Sequence, residues 1–146
     1  MNALDRLWEE YRLPIRDAMY VRTAEGIDAF EVVTSPGEPG KLVLSEPFEL
    51  ESLLAESPDW TSEVDGQQQL ALEAGGVLWA GEGSHGSEGF FARLTAERSL
   101  LWAVFLEDSN PFTEIHLKGR VATFTSTADV VVTLNVDDPT GRVVDD

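Results

Sequence analysis

The chain has 146 residues, no cysteine and a formal net charge of −17, from 10 lysines and arginines against 27 aspartates and glutamates. That length suits one domain spanning residues 1–146 and can bury a core without covalent staples. Disulfides, thiol catalysis and thiolate metal sites are excluded, and nucleic acid or anionic membrane would be poor partners because both reward lysine and arginine.

Leu4, Leu7, Trp8 and Tyr11 recur at helical spacing and form one apolar stripe. Asn2 is the expected N-cap, and Pro14 should stop the helix near Leu13. Ile15, Ala18 and Met19 could continue as a second helical turn. Acids come early and no apolar h-region follows, so no signal peptide is expected, and a cytoplasmic address fits.

Strand character starts at Phe30–Thr34, followed by a loop at Ser35–Gly40 and a strand at Lys41–Leu44. A short helix is expected from Pro47 to Glu56, capped by Ser45, facing inward with Leu50, Leu53 and Leu54 and ended by Pro58. From Gln67 onward the pattern reads as strands. Ala74-Gly75-Gly76-Val77 is a hairpin signal, because paired glycines supply positive φ. Val77–Ala80 and Phe90–Leu94 flank a loop at Gly81–Gly89. Leu100–Leu106 is continuously apolar for seven residues, too short for the ~20 of a membrane span and right for a central strand covered on both faces. Ile115–Leu117 and Val121–Phe124 flank a turn at Lys118-Gly119. Val130–Val136 is the last strand, and the tail should fray. The fold class is therefore mainly β (α+β): an antiparallel meander sheet or sandwich of about eight or nine short strands, with one or two short helices near the N-terminus.

Several motifs fail on context. Gly81-Glu82-Gly83-Ser84-His85-Gly86 matches G-x-G-x-x-G, but a strand follows it where a dinucleotide site needs a helix. Glu82 and Glu88 would also repel phosphate. Asp108-x-Asn110 starts like a calcium loop, then places Thr113 where glycine belongs and Gly119 where the bidentate glutamate belongs. A self-capped turn accounts for it. His116 sits between Ile115 and Leu117 and should face away from them, toward solvent. Asp137 could pair with Asp108 as acid and base, but no other feature supports that. Trp79 and Trp102 read as core. No catalytic set, metal site or cofactor is expected.

The charge distribution is more informative than its total. No lysine or arginine occurs between Lys41 and Arg93, a stretch that holds ten acids: Glu46, Glu49, Glu51, Glu56, Asp59, Glu63, Asp65, Glu73, Glu82 and Glu88. Such a run should cast a negative field that attracts cations or a basic protein. Trp60 lies within it and, if exposed, would be an interface anchor. In size, acidity, lack of cysteine and lack of a catalytic set, the chain resembles bacterial toxin-neutralising immunity proteins. The resemblance is one of character: no motif places the chain in a defined family, and no residue roles follow from it.

The leading expectation is a binding role rather than catalysis. A basic partner would meet an acidic face built from Glu46, Glu49, Glu51, Glu56, Asp59, Trp60, Glu63 and Asp65. The alternative is a small-ligand binder or enzyme with a pocket around the Gly81–Gly89 and Asp108–Asn110 loops, using Glu82, His85, Asp108 and Asn110. Self-association through a sheet edge or exposed aromatics is a third reading.

Overall fold

A computed structural model describes residues 2–34 and 41–141. The expected loop at 35–40 and most of the tail lie outside the described residues. Helix α1 (Ala3–Trp8) opens the chain, and Asn2 caps it by accepting from the Asp5 N–H at 2.9 Å. The helix ends at Trp8, earlier than its apolar stripe implies. Tyr11 turns the backbone to φ 54°, so Leu13 and Pro14 fall in strand β1 (Arg12–Pro14). The expected second helical turn is instead the start of β2 (Ala18–Thr23), which pairs with β3 (Gly26–Thr34). Strand β4 (Leu42–Phe48) then runs through Pro47, opposite Phe30. Pro47 is therefore not in a helix. Lacking an N–H, it suits this edge strand. Helix α2 (Leu50–Glu56) starts later than expected, and its N-cap is Glu49 rather than Ser45, with no side-chain capping bond.

Strand β5 (Thr61–Glu63) pairs back onto β1, and β6 (Asp65–Ala71) forms a hairpin with β7 (Val77–Glu82). Gly75 and Gly76 take φ 101° and 87° in its turn, as the paired glycines require. Next come β8 (Gly89–Leu94) and β9 (Leu100–Leu106), then β10 (Phe112–Lys118), β11 (Val121–Ser126) and β12 (Val131–Asn135).

Seven of these strands form one antiparallel sheet in the order β4-β3-β2-β9-β8-β7-β6. The apolar run 100–106 is its middle strand. Helices α1 and α2 and the β1–β5 ribbon cover one face. The three-stranded β10-β11-β12 sheet covers the other. Alternation along β8 and β9 feeds both layers. Phe90, Ala92 and Phe105 face the helices, while Phe91, Trp102 and Val104 face the small sheet. There Phe91 stacks on Phe124 at 4.1 Å and meets Phe112 edge-on at 4.9 Å. Trp102 Nε1 donates to the Val136 carbonyl at 2.9 Å, tying the layers together.

Arginines pin the helical layer to the sheet. Arg22 of β2 donates to the Leu100 carbonyl at 2.9 Å and clasps both carboxylate oxygens of Asp5. Within that layer, Arg6 of α1 pairs with Glu51 of α2 at 3.3 Å, and the same carboxylate accepts from the Ala3 N–H. Arg16 pairs with Glu31 and lies 4.4 Å over the Phe48 ring.

Candidate functional site

Strands β4 and β6 are opposite edges of the large sheet, about 29 Å apart for six inter-strand steps of ~4.8 Å. The chain between them runs through α2 and β5, crossing the helical face from edge to edge. Leu50, Leu53, Leu54 and Val64 point down into the core along this path. The carboxylates on this path and at its two ends stay at the surface: Glu46, Glu49, Glu51, Glu56, Asp59, Glu63 and Asp65 are all exposed. Among these, Glu51 is tied to Arg6. Trp60 stands in the same crossover, after the Pro58-Asp59 turn, and is 60% exposed. Its backbone is fixed, because its carbonyl accepts from the Ile15 N–H at 3.1 Å. The ring projects from an anchored strand end.

The other acids of the cation-free stretch go elsewhere. Glu73 sits at the β6–β7 turn, on the rim of a groove of about 880 Å³ with Arg93, Arg120 and several apolar side chains. Glu88 is buried at 3% exposure. Its Oε1 accepts from the Ser62 hydroxyl at 2.7 Å and from the His85 N–H at 3.2 Å. Its Oε2 meets His85 Nδ1 at 3.0 Å. Ser62 Oγ in turn accepts from the Ser84 N–H at 2.8 Å. Gly83 is needed here, since a Cβ would fall 2.3 Å from Glu88 Oε1. Serine, carboxylate and histidine are thus in contact, but the carboxylate is in the middle. A nucleophile needs its hydroxyl on the imidazole. Here the hydroxyl bonds to the carboxylate, and the set fastens a loop. No sequence pattern links Ser62 to Glu88, and sequence reasoning missed the clasp.

The two loops of the ligand reading do touch. The Asn110 N–H donates to the Ser87 carbonyl at 2.8 Å. Their side chains part company beyond that contact. The His85 side chain is 68% exposed. Glu82 lines a groove with Tyr11 and Trp79, whereas Asp108 lines a small cavity of about 90 Å³ with Asp17. Asn110 takes φ 63°, the left-handed turn conformation that asparagine tolerates. Beside Asp108, partial burial and the Asp17 and Asp108 carboxylates push the Glu107 carboxyl above the usual glutamate range. Asp137 is committed to Arg93 at 2.7 Å and Arg120 at 2.6 Å, and their hydrogen bonds and charge hold its carboxyl below the usual range.

No protein-family model, curated protein or solved structure matches this chain. The functional reading therefore rests on the geometry alone. Among the described residues, no group of three or more His, Asp or Glu is arranged to hold a metal ion, and no helix is long and apolar enough to cross a membrane.

Proposed function

We propose that the chain is an interaction domain that docks a basic protein on its carboxylate-rich crossover, with Trp60 as the anchor. The carrying observation is the exposure of Trp60 among Glu56, Asp59 and Glu63. A large exposed aromatic on a fixed backbone costs little entropy to bury and often dominates an interface. The surrounding carboxylates would speed encounter with a cationic surface and disfavour acidic competitors. Toxin neutralisation in a bacterial cytoplasm, as by an immunity protein, is the specific role that suits this surface.

The test is affinity for a basic protein recovered by pull-down with this chain, measured at 50 and 500 mM salt. Affinity should fall at least tenfold across that range, and Trp60→Ala should cost at least tenfold more. A dissociation constant indifferent to both would remove the reading.

A further inference from the structure

The large sheet is open, and its two outer strands differ. Strand β6 carries Asp65 and three exposed glutamines, and a bulge at Gly66–Gln68 interrupts its register. Such features blunt an edge against pairing. Strand β4 instead begins Leu42-Val43-Leu44, uncharged and in regular register with Val32, Val33 and Thr34. Its other flank has no strand neighbour among the described residues. Val43 is 48% exposed, and Val33, its direct partner on β3, is 53% exposed. Direct partners share a face, so the two form a bare apolar pair beside the open flank.

The hydrogen bonding fixes which backbone groups face outward. The Val32 N–H donates to the Asp17 carbonyl at 3.1 Å, so the polar groups of Val32 point toward β2 and away from β4. In an antiparallel ladder a residue turns its N–H and C=O to the same side, and the side alternates along the strand. Val33 therefore bonds to Val43, and the N–H and C=O of Leu42 and Leu44 point off the open flank. Pro47 ends the stretch that can pair, having no N–H to offer. Two donors and two acceptors thus stand in a row of three residues, and an extended strand satisfies all four at once.

We propose that a second copy of this chain supplies that strand, joining β4 to β4 antiparallel about a two-fold axis at Val43. The outward groups are self-complementary in that arrangement. Leu42 of each copy exchanges both bonds with Leu44 of the other, closing four hydrogen bonds. Val43 then faces Val43 of the second copy as a non-hydrogen-bonded pair, Cα atoms about 4.5 Å apart, with a Val33 on either side. Lys41 comes opposite Ser45 of the second copy and next to its Glu46, so a cation meets an acid at each end of the join. The contact is short and belongs with weak interfaces, at a dissociation constant of about 0.1–1 mM. It is independent of the crossover reading and opposite in salt dependence. A cationic partner is released by salt, whereas two copies of net charge −17 approach more easily when salt screens them.

Sedimentation equilibrium of the full chain, from about 10 µM to about 1 mM at 50 and 500 mM salt, tests this. The apparent mass should rise toward that of a dimer, and dimerisation should tighten at least threefold at the higher salt. Val43→Lys sets two cations on the axis and should weaken dimerisation at least tenfold, with the circular dichroism spectrum unchanged because the side chain is exposed. Val121→Lys, at another exposed valine on β11, makes the same charge change and should alter it less than twofold. The register is tested by crosslinking. The chain has no cysteine, so Val43→Cys introduces a single thiol per copy. Under mild oxidation it should form a disulfide-linked dimer at least fivefold faster than Ser45→Cys, whose position faces Lys41 rather than itself. Equal rates at the two positions would overturn the two-fold join. A monomer at about 1 mM in 500 mM salt would overturn the proposal and leave the edge to a strand of another protein. A dimer that salt dissociates, or that Val43→Lys leaves intact, would overturn it too, by placing self-association elsewhere on the surface.

Discussion

The hydroxyl of Ser62 donates to the buried carboxylate of Glu88 at 2.7 Å, across twenty-six residues of chain. This bond fastens the β7–β8 loop to β5, and through β5 to the crossover that carries the exposed acids. Glu88→Ala should therefore lower stability by about 2 kcal/mol, since it takes the partner from the buried Ser62 hydroxyl and from the part-buried His85 N–H. Glu88→Gln keeps an acceptor oxygen in place and should recover most of that loss. Urea unfolding of the two variants beside the parent checks the order.

Tyr20 is fully buried, and among the described residues its hydroxyl has no hydrogen-bond partner. Tyr20→Phe should be neutral or stabilising by up to about 1 kcal/mol at pH 7, because it removes an unsatisfied buried polar atom. Burial also pushes the Tyr20 phenol far above its ordinary value, against a smaller opposing pull from Arg16. The folded state then keeps its proton while the unfolded phenol ionises near pH 10, so parent stability falls as pH rises past that point. The advantage of Tyr20→Phe should grow by about 1.4 kcal/mol per pH unit above ~10. An advantage that stays flat from pH 9 to 11 would contradict this.

Asp137 joins Arg93 and Arg120, and the Arg93 side chain is only 13% exposed. Asp137→Asn should cost about 1 kcal/mol at pH 7, a modest figure because Asp137 itself is 43% exposed and screened by solvent. Its folded-state value lies below its unfolded one, so the stabilisation is present above ~3.9 and is lost as pH falls toward the lowered value. Melting midpoints of parent and variant should thus converge on acidification from pH 5 to pH 2.

Glu107 runs the other way. Its carboxyl is raised by burial and by Asp17 and Asp108, so ionising it costs the folded state more than the unfolded one. The penalty is absent below ~4.3, where both states are protonated, and complete once pH passes the raised value. Glu107→Gln should raise the melting midpoint at pH 7 by a degree or two and lose that gain near pH 4, the small size reflecting its exposure. A scanning calorimeter run at both pH values decides it.

The elements legible from sequence were those whose signal is local and undivided. The apolar run 100–106 is the central strand, where a continuous apolar run can be covered on both faces. The hairpin glycines were equally direct. Ala18–Thr23 was missed because four apolar residues after Ile15 fit a helical turn as well as a strand, and only pairing with β3 and β9 decides. Ser45 and Pro47 carry helix-start chemistry, yet pairing with β3 holds Pro47 in an edge strand. The three residues of β5 are too few and too polar to show a period. The exposed acids of the candidate surface could be read from composition. The exposure of Trp60 and the burial of Glu88 depend on which strand each one pairs beside.

Ala18 bonds into the sheet beside Phe105, and Val21 beside Trp102. During synthesis the first three sheet strands leave the ribosome long before the strand that completes them. The nascent β2–β4 hairpins must wait with one flank open, and sheet closure can begin only after residue 106 has emerged. A chain whose central strand arrives this late should fold slowly for its size, and truncations that stop short of Leu100 should yield no cooperative core.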